Sequence, residues 1–447
     1  MGSRTLRYSL FLVLPLFFES SSAQVVAPSP EPSPAVSDPI LHQRPSLKLP
    51  SSFVPQGHPE DITCENGSGE YSTKFSTGTT VSVGPLRAGA FAERACAARL
   101  TWGSEEITVA SDADEVAIDV LGADLGFGMP VVAFQIDETG NHTNRKYQIY
   151  SLSKPPRLLH TVTGAGSYSA ADTDLDGQVE IWTDDAAAMN GFEGVPFQSF
   201  DFAPTIVLRS EKKQIVNVSS EFRSYYDAQI ADLRAQIDPQ ELAAFKNSDG
   251  ALSLNIFRSS DERHRLARTK IKLIEIVCAY LYSGRDAEAW SALQDMWPPQ
   301  DFNRIRAAMS NVYQRGILRG IDRSPKAAKH RHQVHIFDAT STSGPLSRAV
   351  LNPGAGAPNF EEHQSAVVRP KSILLRRPPP DEVEEFRATG AAMELVVDAA
   401  GKVRSAKLLN GTGKRWIQAS AGWHFIPALR DGSPVACRVR LSVWDLK

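Results

Sequence analysis

Cysteine is scarce, four in 447 residues, and never spaced as Cys-x-x-Cys, which removes the usual frame for a dithiol redox centre or a zinc knuckle. Neither Gly-x-Ser-x-Gly nor His-Glu-x-x-His occurs, so two common hydrolase chemistries lack their signatures. The longest apolar run, Tyr8 to Phe18, is well short of the roughly 20 residues that a membrane helix needs.

That short run carries a different message. Arg4 and Arg7 precede it and "ESSSAQ" follows, with Ser21 and Ala23 small enough for a cleavage pocket. Residues 1–23 therefore read as an export signal cut after Ala23, which predicts a periplasmic protein with no membrane span after cleavage. An uncleaved inner-membrane anchor is the alternative. Export also disfavours nucleic acid as a partner.

The formal net charge of −3 hides a gradient. Residues 24–218 hold 13 Lys/Arg against 25 Asp/Glu, and residues 323–447 hold 19 against 11. An acidic front and a basic tail can dock on each other, or the tail can meet an acidic partner.

Texture divides the chain further. Residues 24–58 are Pro-rich and read as a linker. Residues 59–218 contain short β-forming runs ("TTVSV", "MPVVAFQI", "KYQIYSL", "VEIWT") broken by Gly, Asn, Asp and Pro, which predicts an antiparallel β-rich domain. Cys64 and Cys96 fall inside it and, in an oxidising compartment, can close a disulfide. Cys278, in "IKLIEIVCAYLY", reads as a buried apolar thiol.

From residue 219 to 320 the apolar spacing becomes helical. Asp238-Pro239 is a helix start, and helices are predicted over about 261–283, 286–297 and 301–315, ending at Gly284, Pro298-Pro299 and Gly316. Residues 321–368 are rich in Pro, Gly, Ser and His and read as a second linker. His330, His332 and His335 lie there, better explained as solvated basic residues than as metal ligands.

Residues 369–447 regain order. "AAMELVVDAAGKVRSAKLL" alternates Met393, Leu395 and Val397 toward one face and turns at Ala400-Gly401, a β-hairpin. "GKRWIQASAGWHF" has helical spacing and must stop before Pro427. Asp431-Gly432 is then a turn that launches a final strand, with Cys437 and Val439 inward and Arg438, Arg440 and Ser442 outward. The predicted whole is an α+β multidomain chain: a β-rich front, a helical middle and a small ββαβ module.

The ordered string "WHFIPALRDGSPV", with Trp423, Phe425, Pro427, Asp431 and Gly432, makes this module resemble the C-terminal domain of the TonB family of periplasmic proteins. "RRPPPDEVEEFRATG" is similar to that family's Pro-containing approach, although the usual Tyr-Pro is absent and Pro380-Asp381 stands there. The resemblance covers about 75 of 447 residues. It implies binding of envelope or outer-membrane proteins by strand addition to an exposed sheet edge. The candidate edge is the last strand, Ala436 to Trp444, including Arg438, Arg440 and Ser442; the alternative is that the chain's own linker covers it. Energy transduction, the work of the name-giving members, would require the uncleaved anchor, so a periplasmic adaptor is the expected role.

One stretch of the β-rich domain points to a cation. "DTDLDGQVE" places Asp172, Asp174 and Asp176 at alternate positions, then Gly177, the Gln178 carbonyl and Glu180, an arrangement of oxygens suited to calcium. It resembles the calcium loop of FG-GAP blades, in which an acid precedes an apolar strand, as Glu180 precedes "IWT". A faint earlier copy, "DLGFGMPVVAF", aligns Gly128 with Gly177 without the acids. The chain is read as non-enzymatic; the rival is a calcium-dependent β domain that binds or hydrolyses glycans, which would need a deep pocket lined by carboxylates of perturbed acidity.

Overall fold

Three successive four-stranded antiparallel meanders form the front of the protein. The computed structural model describes residues 62–75, 77–86, 95–138, 143–194, 200, 202–253, 259–323, 336–338, 367–368, 371–374, 388–411, 413–430 and 433–442. The proposed signal, the Pro-rich linker, the three histidines, Asp431, Gly432 and Trp444 lie outside them.

Strand β1 (Thr63–Glu65) precedes the first meander, β2 (Tyr71–Lys74), β3 (Thr79–Pro85), β4 (Cys96–Trp102) and β5 (Glu105–Ala113). Thr79, Val81 and Val83 are buried while their neighbours are partly exposed, the period of two that a half-covered strand imposes. The second meander is β6 (Glu115–Ala123), β7 (Val131–Asp137), β8 (Arg145–Ser151) and β9 (Leu158–Ala165), with β1 paired on its edge. It is covered on both faces, which explains why β6 and β7 read as almost unbroken apolar runs. Val132, Phe134 and Ile136 share a core with the first meander, and Val131 and Ala133 share one with the third. Cys64 and Cys96 are joined in a disulfide that links β1 to β4.

The third meander is β10 (Tyr168–Ala171), β11 (Glu180–Asp184), β12 (Thr205–Glu211) and β13 (Gln214–Asn217), with the one-turn helix α1 (Ala186–Met189) after β11. Helices α2 (Arg223–Ala235), α3 (Pro239–Lys246), α4 (Ser260–Tyr282), α5 (Asp286–Met296) and α6 (Phe302–Arg315) follow. Asp238 accepts from the N–H groups of Gln240 and Glu241, and Ser259 accepts from Glu262 N–H, so both helix starts are capped.

The helices have no separate core, contrary to their expected standing as a domain over 219–320. They share one cluster with the second and third meanders. Trp182 on β11 meets Phe222 and Tyr225 edge-on, each at 5.1 Å, and Tyr226 donates to the Thr205 carbonyl at 2.9 Å. The cause is the third meander, whose apolar face has no fourth meander to cover it among the described residues, so the helices bury it. The chain then returns to pair β14 (Asp322–Arg323) in parallel with β13.

Short strands β15 (Ile336–Asp338), β16 (Val367–Val368) and β17 (Lys371–Leu374) lead to the C-terminal module. There β18 (Ala392–Val397) and β19 (Val403–Asn410) form the expected hairpin. Gly401 has φ 82°, and a Cβ on it would lie 1.8 Å from the Phe425 carbonyl oxygen, so only glycine fits the turn. Helix α7 (Lys414–Ser420), β20 (His424–Ile426), β21 (Ala428–Arg430) and β22 (Ser433–Ser442) complete the module. Met393, Leu395, Val397, Trp416, Trp423, Phe425 and Val439 form its core, with the two tryptophans edge-on at 6.3 Å.

Two expectations need correction. The helix ends at Ser420, and Pro427 separates two short strands instead of stopping a helix. The last strand is not an edge over Ala436–Arg438: β18 pairs with it on one side and β15, from the linker, pairs in parallel on the other. Arg440 and Ser442 pair only with β18 among the described residues. The sheet runs in the order β16-β21-β22-β18-β19, so β19 ends it on one side and the two-residue β16 on the other.

Candidate metal centre

The acidic loop connects β10 to β11. Asp172 fixes its turn by accepting from Asp176 N–H at 3.0 Å and Gly177 N–H at 3.1 Å. Asp176 accepts from the backbone and side-chain nitrogens of Gln178 at 2.8 and 2.9 Å. One carboxylate oxygen from each of Asp172, Asp174 and Asp176 lies within 4.8 Å of the other two. A hard divalent cation bound at about 2.3–2.6 Å to each would span that separation.

The remaining predicted ligands sit differently. Gln178 is exposed and its amide turns to Asp176. Glu180 is outside the three-carboxylate cluster: its Oε2 accepts from Thr173 N–H at 3.0 Å, and its buried Oε1 accepts no hydrogen bond, the nearest guanidinium nitrogen of Arg209 being 4.0 Å away. Arg209 is itself held by Glu221 and Glu211.

Sequence reasoning missed a fifth carboxylate. Asp398, at the turn between β18 and β19, accepts from Ala400 and Lys402 N–H with Oδ1 and from Asp172 N–H with Oδ2 at 3.2 Å. An Asp that opens a hairpin turn looks locally explained, and nothing in "VVDAAGK" marks a partner 226 positions away. Burial first, then the charges of Asp398, Asp176 and Asp174, push the Asp172 carboxyl up to about 8. Burial likewise drives Glu180 far above the ordinary range, with Asp174 adding to it. Asp398 is also raised, by burial, although Arg404 and Lys402 oppose the shift. Buried carboxylates in this density are relieved either by taking up protons or by an added positive charge, and the Glu180 Oε1 has no hydrogen-bond donor beside it.

The acidic front and basic tail meet beside this loop. Lys402 reaches Asp119 Oδ1 at 2.5 Å, while Asp119 Oδ2 accepts from Tyr147 OH and Ala170 N–H. Leu175, at φ 62°, is buried with Val396 and Ala436 of the C-terminal sheet. A left-handed Leu costs on the order of 1–2 kcal/mol, and this packing offsets it. In the preceding meander the turn before Gly128 is fixed by Asp124, which aligns with Thr173 and not with an acid of the loop, and which accepts from Phe127 and Gly128 N–H.

A cleft of about 370 Å³ is lined by residues including Asn190, Glu193, Ala308 and Asn311. Burial would raise Glu193, but Arg304 and Lys270 outweigh it and hold the carboxyl below its usual range. This is not the carboxylate pair that glycan hydrolysis requires.

Asp185 is buried for structural reasons, accepting from Tyr282 OH, Ile317 N–H and Ala188 N–H. Burial dominates and pushes it up to about 6. Between pH 4 and 6 the folded chain therefore holds a proton that the unfolded chain releases, so stability falls as pH rises through that window. Asp185→Asn should abolish this slope and stabilise the protein at pH 7 by up to about 3 kcal/mol while changing little at pH 3.5. Urea midpoints across pH provide the check.

Among the described residues no helix is long and apolar enough to cross a membrane. The chain matches no protein-family model, and neither a curated protein nor a solved structure shows significant similarity to it.

Proposed function

We propose that this chain is an exported, non-catalytic adaptor of the cell envelope, with a structural calcium ion in the 172–180 loop and a C-terminal module that binds envelope proteins by accepting a strand. The export reading rests on the sequence of residues 1–23. The likeness of "WHFIPALRDGSPV" to the TonB family supports the strand-binding reading, together with the hairpin, helix and returning strand of the module.

The observation that carries the proposal is the position of β19. It is eight residues long, ends its sheet, and pairs only with β18 among the described residues. An open strand offers backbone donors and acceptors at regular intervals without demanding a particular partner sequence. Lys407, on β19 itself, shares Glu394 with Arg438 and Arg440, so three cations surround one anion and favour an acidic partner. Leu409 is 40% exposed near the end of the strand.

The three carboxylates and the orphaned Glu180 oxygen favour a hard, oxygen-loving cation, and calcium tolerates an irregular loop better than magnesium does. A photo-crosslinker at Leu409 should capture envelope proteins, whereas the same group at Leu158, 50% exposed on β9, should not. Identical adducts from both positions would remove β19 as the binding edge.

A further inference from the structure

The geometry points to a cation site coupled to the junction between two modules, in which Asp398 ties the calcium loop to the C-terminal sheet so that ion binding and docking of that sheet strengthen each other. The inference rests on the calcium reading above and goes beyond it, from a staple within one loop to a latch between distant parts of the chain.

Four contacts at the junction carry it. Asp398 Oδ2 accepts from the N–H of Asp172, the loop's first carboxylate residue. Leu175, between two of the proposed ligands, has its buried partners Val396 and Ala436 on the C-terminal sheet. A Cβ on Gly177 would lie 3.4 Å from the Pro434 carbonyl oxygen, so the loop backbone lies close against the start of β22. Lys402, four residues after Asp398, pairs with Asp119 on β6. Val396 and Ala436 belong to the sheet face opposite Trp416 and Trp423, so docking uses the face without the helix.

The electrostatics give the coupling its direction. Docking brings Asp398, wholly buried, against an already acidic loop. Without an ion, that approach adds repulsion in a medium of low dielectric; with a divalent cation on Asp172, Asp174 and Asp176, the same carboxylate is attracted. Asp398 acts as a positioning residue, holding the loop through a backbone N–H. By linkage, whatever factor the ion contributes to docking, docking returns to ion affinity.

The test uses the full chain with spin labels at Leu158→Cys and Leu409→Cys, both exposed positions, while Cys278 and Cys437 are buried and unreactive. With calcium, one narrow distance distribution is expected; after chelation, a second population should appear. Calorimetric titration of the same protein with calcium separates the two readings. Measured binding with an unchanged distance distribution overturns the latch and leaves the calcium loop standing, and absence of binding overturns both.

Lys402→Met supplies an independent sign. If Lys402 acted only as a nearby positive charge, its removal would tighten calcium binding. A latch predicts the reverse, about fivefold weaker binding, because docking is loosened. Tighter or unchanged binding counts against the latch.

Discussion

Calcium added to the metal-free protein raises its resistance to denaturant by about 4 kcal/mol at a thousandfold excess over Kd, and Asp174→Asn removes that response. Asp172, Asp174 and Asp176 converge in a loop where Asp172 is fully buried and Glu180 has an oxygen with no hydrogen-bond partner. In the absence of the ion these carboxylates oppose one another and burial, so neutralising one relieves repulsion. Asp174→Asn should therefore be at least as stable as the parent in chelator and clearly less stable in calcium. Loss of stability in both conditions would make Asp174 a plain structural acid, and equal stability in both would remove the ion. Magnesium, which requires six near-ideal octahedral ligands, should reproduce only a minor part of the effect. Urea midpoints with and without each ion decide it.

Local chemistry was readable in the sequence; long-range coverage was not. The period of two in β3, the cap Asp238, the Gly401 turn and the burial of Trp423 and Phe425 all follow from interactions within a few residues. The covering of Ala436–Arg438 does not. Its partner is three residues, Ile336–Asp338, inside a His-, Pro- and Gly-rich stretch, too short to show any periodicity, and parallel pairing leaves no hairpin signal. The shared core was hidden for a related reason: an amphipathic helix reveals that it buries a face, but the sequence does not specify what covers it. At the candidate site the three clustered acids were legible from their spacing, while Asp398 and Lys402 were ordinary hairpin residues until the fold placed them against Asp172 and Asp119. The acidic front and basic tail did suggest docking, and the Lys402–Asp119 contact is one place where the two meet.

Replacing both Cys64 and Cys96 with alanine should lower stability by about 3–4 kcal/mol, the loop-closure entropy returned to the unfolded chain by a cross-link of this span; the separation is 32 residues. The loss should be felt unevenly. The disulfide links β1, hydrogen-bonded to β6, with β4 of the first meander, and it sits in the core that joins the first meander to one face of the second. The other face of the second meander belongs to the large core shared with the helices, and the C-terminal sheet has a core of its own. Hydrogen exchange should accordingly speed up across β2–β5 and β1, while β18, β20 and α7 keep their protection. Uniform acceleration across the chain would mean that the cross-link stabilises the whole fold as one cooperative unit, and a change below about 1 kcal/mol would mean that the first meander stays closed on apolar burial without it.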